Sequence, residues 1–212
     1  ILAELHHTNL PKVYDYFVSK DKYFLVMDYI KGDDLLSLLN RRSGGFPEEI
    51  VTKWLFQLCN VLDYLHTHDP PIIYRDVKPS NIMLREKDKS LILIDFGIAV
   101  ISGGTLPLKK RDSLGTLGYV SPEQCDGKAS PAGDIYSLGA TAYHLLTGHL
   151  PPMFAESTLK EKKEDISEEL EKIIFRCLKK NAGERYQNIK DLLCELKQLP
   201  ENKNDIFTEE AI

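Results

Sequence analysis

The spacing of apolar residues along the chain predicts several helices. After Pro47 an apolar side chain recurs every three or four residues as far as Leu65, which is the period of a helix with one buried face. Proline is favoured at the first helical position, so we expect this helix to open at Pro47. A second helix is expected from Ser130, as its cap, to Gly148, and two more follow it. The apolar positions that support these predictions are Val51, Trp54, Leu55, Leu58, Val61, Leu62 and Leu65; Ile135, Leu138, Ala142, Leu145 and Leu146; Leu170, Ile173, Ile174, Cys177 and Leu178; and those within 189–199.

Other stretches have the pattern of strands joined by polar turns. Residues 14–30 are rich in β-branched and aromatic side chains and predict a hairpin about a polar turn at 19–22. Residues 82–94 begin and end with apolar runs and predict a second hairpin, with the charged residues 85–90 as its turn. A short helix is expected over 35–42. Helices and hairpins together place the chain in the α+β class.

Composition narrows the kinds of partner. The 212 residues include 27 basic and 32 acidic side chains, giving a net charge of −5, which does not favour binding to nucleic acid or to a membrane surface. The four cysteines are widely spaced, without a C-x-x-C pair, and indicate reduced thiols in a cytoplasmic protein. Neither a signal peptide nor an apolar run of membrane-span length is present. Because the first residue is Ile rather than Met, we expect the chain to be a truncated piece.

The main chemical signal is the polar stretch Tyr74-Arg75-Asp76-Val77-Lys78-Pro79-Ser80-Asn81, followed beyond the second hairpin by Asp95-Phe96-Gly97. A hairpin between them would hold Asn81 and Asp95 on the same side, close enough to share a cation. Amide and carboxylate oxygens are suitable ligands for Mg²⁺. Either stretch alone would be interpreted as a polar surface loop. Their occurrence together, in this order and each beside an apolar strand, favours a catalytic site.

These stretches resemble the H-R-D-L-x-x-x-N and D-F-G motifs of the Hanks-type serine/threonine protein kinases. The segment from Gly118 to Gln124 is similar to bacterial members of that family. The resemblance implies that Asp76 orients the attacking hydroxyl and accepts its proton, and that Lys78 neutralises the γ-phosphate. It implies Asn81 and Asp95 as the ligands of Mg²⁺. Two residues depart from the family pattern, Tyr74 for the histidine and Ser121 for the alanine of A-P-E, and both departures occur in active members.

The resemblance extends to the nucleotide site. Residues 26–32 resemble the kinase hinge, which implies Met27 as the gatekeeper and the Asp28 carbonyl and Ile30 amide as hydrogen-bond partners of adenine. Asp34 is expected near the ribose and Met83 beneath the adenine; for the two methionines, ordinary core packing is the alternative. The residues assigned to ATP binding by the resemblance are Met27, Asp28, Ile30, Asp34, Lys78, Ser80, Asn81, Met83 and Asp95.

Residues 98–123 resemble an activation segment that ends at Ser121-Pro122-Glu123. Thr116 in this segment is expected to bridge Asp76 and Lys78, and is counted with them as catalytic. In the family, the arginine before the catalytic aspartate, here Arg75, pairs with a phosphorylated residue of the segment. The closest candidates are Ser113, then Thr105 and Ser102, with Asp112 as an unphosphorylated alternative.

Two long-range contacts are also implied by the resemblance. Asp134, in an otherwise apolar predicted helix, should be hydrogen-bonded to the backbone of the catalytic loop, because a buried unpaired charge is costly. Arg185 should pair with Glu123; the alternative for Arg185 is a solvated surface charge.

The resemblance implies a protein-kinase-like fold with a mainly helical C-lobe and a partial β N-lobe. The expected boundaries are a partial N-lobe over 1–30, a C-lobe over 31–199 and a polar tail over 200–212. A glycine-rich loop and a V-A-I-K lysine are absent from the sequence. Since positioning of the phosphates dominates this chemistry, we expect these residues alone to transfer phosphate slowly.

The expected activity is transfer of the γ-phosphate of ATP, with Mg²⁺, to Ser or Thr hydroxyls of a protein substrate. The resemblance also admits a dimer of two kinase domains for phosphorylation in trans. Two alternatives are a pseudokinase-like binding module and a small-molecule phosphotransferase. A pseudokinase would usually have lost Asp76, Asn81 or Asp95, and a small-molecule phosphotransferase would have no activation segment.

Overall fold

The computed structural model describes residues 4–20, 22–95, 100–101, 116–152, 159, 163 and 165–199. Short 3₁₀ turns occur at Pro79–Asn81 and Ala182–Glu184. The strands and helices, in chain order, are β1 (Val13–Ser19), β2 (Lys22–Met27), β3 (Gly32–Asp34), α1 (Leu35–Asn40), α2 (Glu48–His66), β4 (Ile72–Ile73), β5 (Ile82–Arg85), β6 (Leu91–Leu93), β7 (Val100–Ile101), α3 (Pro122–Cys125), α4 (Pro131–Thr147), α5 (Glu168–Cys177) and α6 (Ile189–Leu196).

The strands form small antiparallel sheets. β1 and β2 pair as a hairpin, and β3, β5 and β6 form a three-stranded sheet with β5 in the middle. The short β4 pairs with β7. In the β5–β6 hairpin Ile82 lies opposite Leu93, so the residue before β5 and the residues after β6 meet at the same end of the sheet. This end carries the candidate catalytic residues.

Helix α4 is buried around its whole circumference. Its predicted apolar face is buried, and so are the polar side chains of Asp134, Ser137 and Thr141. The helix packs against α2 on one side and α5 on another. At Gly139 the neighbouring helix comes so close that an added Cβ would lie 2.6 Å from the Cβ of Cys177. The polar groups of α4 therefore make their contacts inside the protein, with the segments that pack around the helix.

Most predicted elements are present, with shifted ends. All of the apolar positions predicted for α2 are buried, but the helix begins at Glu48, with Pro47 as its cap residue. The Ser130 side chain caps α4 by accepting a hydrogen bond from the Gly133 amide. The second strand of the first hairpin ends at Met27 rather than at residue 30. The strands β3, β4 and β7 were not predicted, because two or three residues are too few to show a period of two.

None of the helices in the described residues combines the length and the hydrophobicity needed to cross a membrane.

Candidate active site

The loop of residues 74–81 connects β4 to β5 and is anchored from below by Asp134 of α4. This carboxylate is fully buried and accepts hydrogen bonds from the backbone amides of Tyr74, at 2.8 Å, and Arg75, at 2.7 Å. Such a carboxylate is tolerated in a protein interior because donors surround it. The contact predicted between Asp134 and the catalytic-loop backbone is present.

Arg75 has a left-handed backbone, with φ of 74°, a conformation that costs a non-glycine residue about 1–2 kcal/mol. Its carbonyl accepts a hydrogen bond of 2.8 Å from the buried side chain of Gln124, so both ends of the residue are held. Nearby, the Thr141 hydroxyl donates to the Val77 carbonyl at 3.0 Å. The loop is therefore fixed by polar side chains from α3 and α4.

Above the loop, Asp76, Lys78 and Thr116 form a closed polar triangle. The Lys78 ammonium lies 2.6 Å from the Asp76 carboxylate and donates to the Thr116 hydroxyl, also at 2.6 Å. That hydroxyl in turn lies 3.3 Å from the other oxygen of Asp76, as donor. The predicted bridge between Asp76 and Lys78 is thus present. A carboxylate beside a fixed ammonium can accept the proton of an alcohol while the ammonium faces an anionic group.

Asn81 connects this triangle to the end of the hairpin. Its side-chain nitrogen donates to the Asp76 backbone carbonyl at 3.0 Å and to the Asp76 carboxylate at 2.9 Å. With the nitrogen used in this way, the amide oxygen is the atom that can act as a ligand. The Ile94 backbone amide donates to the Asn81 backbone carbonyl at 2.9 Å. This hydrogen bond places Asp95, the residue after Ile94, close to Asn81.

Asn81 and Asp95 have the donor chemistry that Mg²⁺ prefers, an amide oxygen and a carboxylate at one end of a hairpin. Asp95 has a left-handed backbone, with φ of 69°. No cluster of three or more His, Cys, Asp or Glu side chains that could hold a metal occurs in the part of the chain that the structure describes. Two protein ligands are still compatible with Mg²⁺, because this ion usually keeps waters and phosphate oxygens in its remaining positions.

A family model described as "Protein kinase domain" matches residues 1–203. The chain belongs to the protein kinase domain family. It is 31% identical over 201 residues to serine/threonine-protein kinase B of Synechocystis, covering 89% of this chain and 34% of that protein. It is 34% identical over 195 residues to PknA of Nostoc, covering 87% and 34%, and 30% identical over 214 residues to PknB of Mycobacterium leprae, covering 92% and 34%. This kinase domain chain thus spans about a third of the length of these curated relatives.

Among solved structures, the chain is similar to the kinase domain of Mycobacterium tuberculosis PknI, with a TM-score of 0.75 and 24% sequence identity. The match covers 92% of this chain and 74% of that one. At this identity the similarity establishes the fold alone. It confirms the predicted α+β, protein-kinase-like fold.

The segment predicted to be the hinge lies at the end of β2 and directly after it. Met27 ends that strand and is 39% exposed. Asp28 is tied to the first strand, because its carboxylate accepts from the Lys12 amide at 3.0 Å and from the Tyr14 hydroxyl at 2.6 Å. The Tyr14 hydroxyl and the Lys12 amide hold the pKa of this carboxyl below its usual range. Within the described residues, the Asp28 carbonyl and the Ile30 amide make no hydrogen bond, so both are available to a ligand.

Asp34, predicted near the ribose, caps helix α1. One of its oxygens accepts from the Ser37 amide at 2.9 Å and the other from the Ser37 hydroxyl at 2.5 Å. Met83 lies opposite Asp34 across the β3–β5 ladder and is half-buried. Ser80 lies in the 3₁₀ turn after Lys78. The structure therefore gives Asp34 a structural contact that sequence reasoning did not foresee.

Several contributors to the site were missed from the sequence. His66, the last residue of α2, has its Nε2 2.8 Å from the Asp134 carboxylate, a contact that the helical pattern does not indicate. Gln124 and Thr141 were not singled out at all, although each donates to a loop carbonyl. The available signal is a polar residue at a buried helical position, and in the sequence this signal is clear only for Asp134, because its predicted helix is otherwise apolar.

The pair predicted between Glu123 and Arg185 is present. The two terminal nitrogens of the Arg185 guanidinium, Nη1 and Nη2, donate to the two carboxylate oxygens of Glu123 at 2.7 and 2.9 Å. Arg185 is 1% exposed and also stacks over the Tyr136 ring, at 4.9 Å from its centroid. The alternative of a solvated surface charge is excluded. This pair fixes α3, which lies at the end of the segment predicted to be the activation segment.

Other predictions fall on residues outside those that the structure describes. They concern the phosphorylation candidates Ser102, Thr105 and Ser113, the alternative partner Asp112, and Phe96-Gly97 of the second motif.

Proposed function

We propose that the chain is the catalytic domain of a protein kinase that transfers the γ-phosphate of ATP to Ser or Thr hydroxyls of a protein substrate. The observation that carries this proposal is the triangle of Asp76, Lys78 and Thr116 held beside Asn81. The relatives in cyanobacteria and mycobacteria are named serine/threonine-protein kinases, which supports the same activity.

In this proposal Asp76 accepts the proton of the substrate hydroxyl. The hydroxyl oxygen forms a bond to the γ-phosphorus, the bond from that phosphorus to the bridging oxygen breaks, and ADP leaves with the electron pair. Lys78 lies 2.6 Å from Asp76 and faces the negative charge of the phosphate being transferred. Thr116 joins the two side chains and keeps their separation constant. Catalysis here is mainly positioning and neutralisation of charge.

Nucleotide binding is assigned to the hinge and the hairpin. The Asp28 carbonyl and the Ile30 amide would hydrogen-bond adenine, between Met27 and Met83. Asp34 and Ser80 would lie toward the ribose and phosphates. Asn81 and Asp95 would hold Mg²⁺, which supplies positive charge to the phosphates when it is bound.

The test is a phosphate-transfer assay of the full-length protein with labelled ATP and a mixed library of Ser, Thr and Tyr peptides. Asp76→Asn should reduce kcat by about 10²–10⁴-fold, because it removes the proton acceptor, while binding of a non-hydrolysable ATP analogue persists. Asp165→Asn, the same change at an exposed position, is the matched control. Labelled phosphotyrosine as the main product would contradict the Ser/Thr assignment. Nucleotide binding without turnover would instead favour the binding-module alternative.

The role of Thr116 can be tested separately. Thr116→Ser keeps the hydroxyl and should retain activity, whereas Thr116→Val keeps the shape but removes both hydrogen bonds. We expect a loss of about ten-fold or more in kcat for the valine variant alone. Equal rates for the two variants would remove Thr116 from the proposed site.

A further inference from the structure

Gln124 occupies a position where a polar side chain requires an explanation. It lies in the short helix α3, and only 1% of it is exposed to solvent. Burial of an amide is unfavourable unless it is hydrogen-bonded, so an apolar residue would satisfy packing at lower cost. The contact that compensates is a single long-range hydrogen bond of 2.8 Å, from Gln124 Nε2 to the carbonyl of Arg75.

The accepting carbonyl belongs to the peptide unit that leads into Asp76. That unit is planar, so the direction of the Arg75 carbonyl fixes the direction in which the backbone enters Asp76. Arg75 is left-handed, with φ of 74°. Its amide is held by Asp134 at 2.7 Å, but this bond restrains only the preceding peptide unit. Within the described residues, Gln124 is the side chain that restrains the following one.

Gln124 is itself well fixed. The preceding residue, Glu123, is paired through two hydrogen bonds with the buried Arg185. The backbone amide of Gln124 donates to the backbone carbonyl of Ser121 at 3.1 Å. The side chain therefore extends from a rigid helix rather than from a mobile loop, and can hold a strained neighbour in place.

We propose that Gln124 is a positioning residue for the kinase reaction, because its side-chain amide holds the Arg75–Asp76 peptide unit and thereby orients the Asp76 carboxylate. This inference rests on the proposed function. The hydrogen bond from Gln124 connects the end of the proposed activation segment to the peptide unit of the proposed catalytic base. A displacement of α3 would pass to the backbone of Asp76 through this hydrogen bond.

The test compares two variants of the full-length protein that are close to glutamine in size. Gln124→Met removes the donor without leaving a large cavity, and should lower kcat about ten-fold or more while KM for ATP changes by less than about two-fold. Gln124→Glu replaces the donor by a carboxylate that repels the Arg75 carbonyl at pH 8. Gln198→Glu, at an exposed position in the same chain, is the matched control and should keep its rate.

The pH dependence of Gln124→Glu provides the decisive readout. Burial raises the pKa of such a carboxyl, and Asp134, on the other side of Arg75, adds to that effect, while Arg185 opposes it from beside Glu123. Once protonated, the carboxyl can donate to the Arg75 carbonyl. The rate of this variant relative to the unchanged protein should therefore rise as pH falls from 8 toward about 6, whereas the ratio for Gln124→Met should stay constant.

Rates are measured well below each melting temperature and divided by the concentration of sites that bind a non-hydrolysable ATP analogue, so that unfolded protein does not count. Unchanged kcat per site in both variants would overturn the positioning role, as would a pH-independent ratio for Gln124→Glu. If the unchanged protein binds the analogue but transfers no phosphate to any peptide, the proposed function fails instead.

Discussion

Replacing Arg185 by alanine should produce a large loss of stability without removing any contact of Asp76, Lys78 or Thr116. The guanidinium makes two hydrogen bonds to Glu123, at 2.7 and 2.9 Å. It also donates to three backbone carbonyls, those of Lys179 at 2.7 Å, Ala132 at 2.9 Å and Lys180 at 3.1 Å. Alanine would leave the carboxylate and the carbonyls without this donor.

Removing one partner of a buried ion pair costs about 3–5 kcal/mol. The Glu123 side chain is 18% exposed, so water can recover part of this loss; the three carbonyls add to it, at about 1–3 kcal/mol for each that stays dry. We therefore expect a decrease of about 3–5 kcal/mol in the free energy of unfolding. For a chain of this size, each kcal/mol lowers Tm by about 2–4 °C, so the expected decrease in Tm is about 6–20 °C.

The assay is thermal and urea unfolding followed by circular dichroism at neutral pH. Arg176→Ala is the matched control, because Arg176 pairs with Glu195 at the surface, where both side chains are more than 40% exposed. Exposed pairs contribute about 0–1 kcal/mol. Arg185→Lys keeps the charge but not the planar fork of donors, and should lie between the two. A Tm for Arg185→Ala no lower than that of Arg176→Ala would refute the reasoning.

Burial raises the pKa of Glu123, but the hydrogen bonds and the positive charge of Arg185, together with the other hydrogen bonds to this carboxyl, outweigh burial and lower the pKa below its ordinary value of 4.5. The stabilisation is thus present above that value and lost as pH falls, so the Tm difference between the unchanged protein and Arg185→Ala should shrink in unfolding scans below pH 4.5. Gly139→Ala should cost about 1–3 kcal/mol by overpacking against Cys177. Gly183→Ala, whose added Cβ would lie at an ordinary contact distance of 3.4 Å from Asn181 Oδ1, should be near neutral in the same urea titration. Mass spectrometry of active protein should find a phosphate within residues 98–116, which we expect to pair with Arg75; an unmodified segment in fully active protein would favour Asp112 as the partner of Arg75.

Site residues that lie close together in the sequence could be predicted from it, whereas only some of the contacts between distant residues could. Asp76, Lys78 and Asn81 lie within six residues of each other, so their motif identified them and the following turn brought them together. Thr116 was found because the family motif includes it. Gln124 donates across 49 residues to a carbonyl, a contact that no periodicity or local spacing can indicate.

The helices were predicted because burial of a continuous stripe imposes a period on the sequence, as α2 illustrates. In α4 the same logic identified only one face. The other faces of α4 carry small or polar residues such as Ser137, which give no apolar signal. Loops also cover these faces, and the path of a loop cannot be predicted from the sequence pattern. The contact of His66 with Asp134, across 68 residues, was missed for the same reason.

The complete burial of α4 has a consequence for the exchange of backbone amide hydrogens with solvent. An amide in a helix that is covered on every side can exchange its hydrogen with solvent only when its whole surroundings open. The slowest amides of α4 should therefore report the free energy of global unfolding, and the anchor at Asp134 would be lost only in that same event. The β1–β2 hairpin, whose first strand is exposed beyond Val13, should exchange much faster. The end of the proposed nucleotide site that carries Asp28 and Ile30 would then fluctuate, while the end that carries Asp76 stays fixed.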